Sequence, residues 1–236
     1  PKILEHLVDT VLYFEGDHSS RFRLIRAFKN RYGTVNEIGV FAMTEDGLRE
    51  VSNPSSMFLS QGREAVPGSV VFALQEATRP LLVEVQALVD SSPLAHPRRV
   101  CVGFDPQRLS MLLAVLHRHL EVAVAERDVF VNVAGGIRLT ETAADLAVTT
   151  ALYASAVNRS FPANTVCFGE VGLSGEIRPV PWGESRIQEA ASLGFECAVL
   201  PSRNKIKNLP TGFETVPISS LAELVDWMEA GSQADG

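Results

Sequence analysis

Cations cluster at three places in a chain whose formal net charge is −7: RFRLIRAFKNR near the start, the pair Arg98 and Arg99, and RNKIKN with Arg203, Lys205 and Lys207. Clustered Lys and Arg can neutralise phosphates and release their counterions, so each cluster is a candidate nucleic-acid contact. The acidic balance confines any such footprint to a patch rather than the whole surface. Each cluster also reads as a solvated loop or edge strand. Within the first, Lys29 and Arg31 stand two apart in KNRYG, at the end of a strand pattern. Their side chains then leave one face and could approach one target together, while Asn30 points the other way. Taken alone, KNRYG marks an exposed strand end before a turn at Gly33.

Other chemistry finds less support. Cys101, Cys167 and Cys197 are widely spaced in apolar, strand-like settings and read as buried thiols of a reducing cytoplasm. His117 and His119, two apart on a predicted helix, point in different directions and could not share an ion. No GxxxxGK[ST] run and no CxxC pair occurs, so neither a phosphate-binding loop nor a zinc finger is expected. With 236 residues, 46% hydrophobic and 21% charged, the chain suits one large or two small globular domains. No run approaches a transmembrane span, and no membrane partner is expected. The start at Pro1, without a signal pattern, reads as a fragment of a longer protein.

The positioning elements follow from periodicity. TVLYFEG, RFRLIRAF, EIGVFAMT and LREV read as three or four strands before residue 55, the first two as a hairpin. No helix covers them, so they are expected to be the edge of a larger sheet. Residues 56–67 read as a linker, with MFLS docking by its apolar residues. GSVVFALQEA and RPLLVEVQALVD form a hairpin, PRRVCVGFD a strand, and Gln107 to Glu126 a helix with Leu109, Leu112, Leu113, Leu116 and Leu120 at helical spacing. Thr165 to Glu170 and Glu176 to Val180 read as another hairpin. A helix stopped by Gly194, a strand ECAVLP and a terminal helix capped by Ser220 and Glu223 complete the chain.

The organising stretch lies between Val129 and Val157. Val129, Val131 and Val133 alternate as a strand, Gly135 and Gly136 break it, and Thr140 with Glu141 offers a helix start. The helix that follows is rich in alanine, with Asp145 its only charge before Val157, and is expected to be central and buried. Together with GEVGLSGEIRPV and SRIQEAASLGF, this unit resembles the proteolytic domain of the Lon proteases. In that family the helix opens with a serine nucleophile, and the matching position here is Ala143. The matching position for the lysine base is Arg186. A methyl cannot attack a carbonyl, and a guanidinium stays protonated, so the resemblance implies a Lon-like fold without Lon chemistry.

A strand edge with KNRYG, a linker and a Lon-like domain with an emptied dyad together resemble the bacterial RadA (Sms) recombination and repair ATPases. EHLVDTVLYFEG, NEIGVFAMTEDGLREV, NVAGG and EAASLGF fit as well, with Tyr32 where phenylalanine is usual. The resemblance implies an α/β chain: residues 1–55 as the last strands of a RecA-like ATPase core, 56–67 as a linker and 68–236 as a Lon-protease-like domain. It also implies a hexameric ring that moves along DNA and drives branch migration beside a partner recombinase. ATP and Mg2+ would belong to the full-length protein, whose zinc finger and phosphate-binding loop are absent here. Lys29 and Arg31 would then reach the triphosphate held by a neighbouring subunit. Arg98, Arg99, Arg203, Lys205 and Lys207 are the expected DNA contacts. Two rivals stay open: a Lon-like protease with a displaced nucleophile such as Ser155 or Ser174, and a pure oligomerisation scaffold.

Overall fold

The computed structural model describes residues 2–15, 22–33, 35, 38–51, 55, 58–59, 64–76, 79–93 and 96–231. The expected turns at GDHSS and ATRP, the boundary at SNPSS and the fraying tail GSQADG lie wholly or partly outside the described residues. After a single helical turn, α1 (Lys2–Glu5), the strands β1 (Thr10–Glu15), β2 (Phe22–Asn30), β3 (Ile38–Thr44) and β4 (Gly47–Glu50) form an antiparallel sheet in chain order. β1 and β2 pair as a hairpin. Their register shifts between Val11 and Leu12, which leaves Phe28 as the extra residue of a bulge beside Lys29. Leu12, Phe14, Phe28 and Met43 remain exposed on this sheet.

The rest of the chain is α/β with mixed strand directions, as its pattern predicts. β5 (Ser69–Glu76), β6 (Arg79–Ser91), β7 (Arg99–Val102), β8 (Arg127–Val133), β9 (Thr165–Cys167), β12 (Cys197–Pro201) and β13 (Glu214–Ile218) build a seven-stranded sheet. The spatial order is β13-β12-β9-β5-β6-β8-β7, and β6 alone runs against the other six. The helices are α2 (Pro106–Leu120), α3 (Asp145–Ala156), α4 (Gly183–Ser192) and α5 (Leu221–Gly231). Leu81, Leu82, Val83, Glu84 and Val85 are all buried, so both faces of β6 are covered at its centre. α3 and α4 both pack against β5 and β6. Every residue of α3 from Asp145 to Ala154 is buried, which is why its sequence carries no polar stripe. No described helix is long and apolar enough to cross a membrane.

Several boundaries differ from the periodicity. α2 ends at Leu120 rather than near residue 126, because Glu121 takes a left-handed backbone (φ 55°) and Val122 and Val124 turn into the core. The segment read as one strand from Thr165 to Glu170 breaks at Gly169, whose N–H donates to Ala143 O at 2.8 Å. Its first half joins the main sheet, and its second, β10 (Glu170–Val171), pairs only with β11 (Ile177–Arg178). β13 had no expected counterpart. Thr140 does not cap a helix: a 3-10 turn, Thr142–Ala144, precedes α3, and no side chain caps either element. Of the three thiols only Cys167 is buried, where desolvation pushes its pKa up to about 12; Cys101 and Cys197 are half-buried.

The docking of MFLS is carried by Phe58, 2% exposed, with its carbonyl accepting from Glu84 N at 3.1 Å. Its ring fills the space a side chain on Gly135 would need: a Cβ there would lie 2.3 Å from Phe58 Cδ1 on a backbone of φ 72°. Gly135→Ala should therefore destabilise the fold by about 1–3 kcal/mol, through both the left-handed backbone and the displaced ring. Chemical denaturation of the two proteins measures it, and an unchanged midpoint would show that Phe58 moves away without cost.

Candidate nucleic-acid interface and a closed dyad position

Ala143 lies in the 3-10 turn before α3, 2% exposed, with its carbonyl bonded to Gly169. Arg186 lies in the first turns of α4 and is fully buried. Its guanidinium is spent on internal partners. Nη2 donates to Glu141 Oε2 at 2.6 Å and Nη1 to Glu141 Oε1 at 2.9 Å. Nη1 also donates to Ala73 O, and Nε to Pro181 O at 3.2 Å. The faces of Phe72 and Phe168 each lie 5.7 Å from Cζ. Glu141 additionally accepts from Gln75 N at 2.8 Å. The residue expected to start the helix is thus the counterion of the residue expected at the base position.

The displaced serines have other roles. Ser155 Oγ accepts from Val89 N at 2.9 Å, and Ser174 sits in the exposed turn between β10 and β11, where its N–H donates to Glu176. Neither hydroxyl is bonded to a base among the described residues. Asp145, the lone charge of α3, is fully buried and bonded to Arg108 through Nε at 2.8 Å and through Nη2. Burial pushes its carboxyl above the usual range, while the Arg108 bonds and the Val171 N–H pull it back.

Arg31 and Lys29 both turn toward the N-terminal segment. Arg31 pairs with Asp9 at 3.1 Å, and Lys29 Nζ donates to Glu5 O at 2.7 Å. β2 ends at Asn30, so only Lys29 lies on the strand itself.

The remaining cations split into two groups. Arg98 is held on the buried carboxylate of Asp128 through Nε at 2.8 Å and over the Phe130 ring at 5.2 Å, yet about half its side chain stays open. Arg99 donates to the carbonyls of Arg98, Val124, Ala125 and Arg127 and so ties β7 to the loop after α2. Arg203, Lys205 and Lys207 are different. In this run Asn204 and Ile206 turn inward while the three cations are exposed, Arg203 within a turn closed by Asn204 N donating to Pro201 O at 2.9 Å. Asn204 Nδ2 donates to Val180 O at 2.7 Å, and its Oδ1 accepts from Val180 N at 3.0 Å. The loop thus presents three cations outward.

The structure does not bring the two groups together. β7 and β12 run parallel and five strands apart, about 24 Å at the usual spacing. Arg98 and Arg99 precede or open β7, whereas Arg203 follows β12, so they occupy diagonal corners of the sheet. Beside the loop cations lies Trp182, which neither charge clustering nor periodicity singles out. It is 63% exposed and holds a left-handed backbone (φ 64°) where α4 begins. The run PWGES signals a turn, but the approach of residues 203–205 to Trp182 is tertiary and has no local signature.

The paired charges can be weighed by substitution. Glu141→Ala leaves the Arg186 guanidinium buried without a counterion and should cost about 3–5 kcal/mol. Arg186→Met keeps the volume and leaves Glu141, whose side chain is 23% exposed, partly to water, so it should cost less in the same urea titration. The reverse ranking would show that packing, not charge, dominates. Asp128 supplies a pH test: the Arg98 N–H, donating at 2.7 Å, and the guanidinium hold its carboxyl at about 2, below the ordinary 3.8. A depressed pKa stabilises above the unfolded value and is lost as pH falls toward the folded one. The stability gap between the chain and Asp128→Asn should thus close between about pH 4 and pH 2; a constant gap in Tm would refute the linkage.

Comparison with known proteins places these features. Residues 109–204 match the family model described as subunit ChlI of Mg-chelatase. The chain is 56% identical to the DNA repair protein RadA of Pseudomonas aeruginosa, over 96% of its own length and 50% of that protein. It is 56% identical to RadA of Escherichia coli over 94% of its length and 48% of that protein. For RadA of Rickettsia bellii the identity is 50%, over 96% and 49%. The chain spans about half the length of the curated relatives it matches. With identity sustained across nearly all its residues, the chain is similar to about half of each of these RadA DNA repair proteins.

Proposed function

We propose that this chain is the C-terminal part of a RadA-type, ATP-dependent DNA repair and recombination protein that drives branch migration. The observation that carries this reading is the 56% identity to a DNA repair protein over 96% of the chain. Residues 1–55 are then the last strands of a RecA-like core, and 68–236 a Lon-like domain for hexameric ring assembly and DNA contact. Proteolysis is not part of the reading: Ala143 has no nucleophilic atom, and the Arg186 donors are committed to Glu141, Ala73 and Pro181. DNA contact falls chiefly to Arg203, Lys205 and Lys207, with Arg98 and Arg99 at the far corner. ATP and Mg2+ are held by a phosphate-binding loop that these residues lack.

Lys29 and Arg31 then serve the triphosphate of a neighbouring subunit. Arg31 spreads charge developing in phosphoryl transfer, and Lys29 adds a point charge beside it. Their present partners permit this. The Arg31–Asp9 pair is exposed on both sides, and such pairs contribute about 0–1 kcal/mol, so a bound triphosphate can displace it.

DNA binding is tested by fluorescence anisotropy across a salt series. Lys205→Glu and Lys207→Glu each remove one phosphate-binding cation, so each should lower the slope of log affinity against log salt by about 0.9. Unchanged affinity and slope in both variants would remove the loop from the interface. In the full-length protein, Arg31→Ala should lower DNA-stimulated ATP hydrolysis by a factor on the order of 10³ or more, as for arginine fingers supplied in trans. Normal hydrolysis without DNA binding would instead make KNRYG a DNA contact.

A further inference from the structure

Trp182, Glu184, Ser185, Arg203 and Lys205 line an open groove of about 570 Å³. It joins a flat aromatic surface to two exposed cations, a combination that neither duplex binding nor packing requires. The indole contacts no other described aromatic ring and stands 63% exposed, whereas the second tryptophan, Trp227, packs edge-on against Phe161. The backbone holds it outward: Trp182 takes φ 64°, and its carbonyl accepts from Arg186 N at 3.1 Å. The opposite wall is equally fixed, because Asn204 is bonded twice to Val180 and a Cβ on Gly183 would lie 2.9 Å from Asn204 Nδ2. Glu184 brings one negative charge. Its oxygens are engaged by the loop, accepting from Lys207 N at 2.6 Å and Asn208 Nδ2 at 3.4 Å.

We propose that this groove binds single-stranded DNA, with one unpaired base stacked on the Trp182 indole and neighbouring phosphates on Arg203 and Lys205. The proposal rests on the DNA reading above and narrows it. Every base has a π face, and stacking on an aromatic side chain is sequence-tolerant. In a duplex those faces are covered by neighbouring base pairs, so an indole on a protein surface is of use only to an unpaired strand. Two exposed cations on the wall of the same groove can meet phosphates of the backbone that carries the stacked base.

The test uses the 236-residue chain with Trp227→Phe, which leaves Trp182 as its single indole. Titration with a thymidine oligomer at low salt should quench its fluorescence, and a duplex should quench it far less. Trp182→Gly suits the left-handed backbone, so its melting temperature should hold or rise while the preference for single strand over duplex falls about tenfold or more. Trp182→Phe should restore most of that preference. Single-strand affinity unchanged in Trp182→Gly but weakened by Lys205→Glu would overturn stacking and leave the DNA reading standing. Failure of the unaltered chain to bind either DNA would overturn both.

Discussion

The fold depends on a charge that had to be buried. Arg186 lies at 0% exposure between Phe72 and Phe168, where an unpaired guanidinium would cost several kcal/mol. Glu141 meets that cost because its two oxygens face the guanidinium fork, and Ala73 O and Pro181 O take further donors. Gln75 N, bonded to the same carboxylate, extends the tie into β5. Three elements far apart in sequence are thus set by one hydrogen-bonded pair: the central strand, the turn into α3 and the first turns of α4. A Ser-Lys dyad would need this same region to be open and its cation able to lose a proton. Here the cation holds the structure together.

Much of the architecture was legible where one residue period dominates. The alternation of Val129, Val131 and Val133 gives a strand whose odd residues are buried, and the alanine content of residues 143–156 gives a helix enclosed on all sides. The break at Gly169 was not legible. It exists because Leu146, Pro201 and Ile177 crowd the glycine and its N–H is drawn to Ala143, all tertiary facts. The end of α2 escaped for another reason: Glu121 is no helix breaker by propensity, and the turn is imposed by Val122 and Val124 seeking the core. Glu141 reads as a helix-start acid from its position alone, whereas its partner lies far along the chain.

Cation clusters illustrate the limit of composition most clearly. Arg98, Arg99, Arg203, Lys205 and Lys207 are equivalent on paper, but Arg99 is a brace for four carbonyls, and Arg98 is the partner that keeps Asp128 ionised. The alternation around Asn204 and Ile206 instead leaves three charges facing outward. A linear run cannot say which residues anchor the loop and which face solvent, because that depends on Val180 offering its backbone to an asparagine.

The strand order of the large sheet also sets a schedule for synthesis. β5, β6, β8 and β7 are joined by antiparallel or neighbouring pairings and can assemble as soon as they emerge. The centre cannot. Val71 pairs in parallel with Val166, so one edge of β5 stays open until α2, β8 and α3 have all been made, and β9 in turn waits for β12. Non-local pairings of this kind are slow, since the closing entropy is met before any contact rewards it. Until then the apolar faces of α3 and β5 have no complete shelter. A nascent chain paused before Thr165 would therefore present its most aggregation-prone surface, and a faster translation rate past that point shortens the exposure.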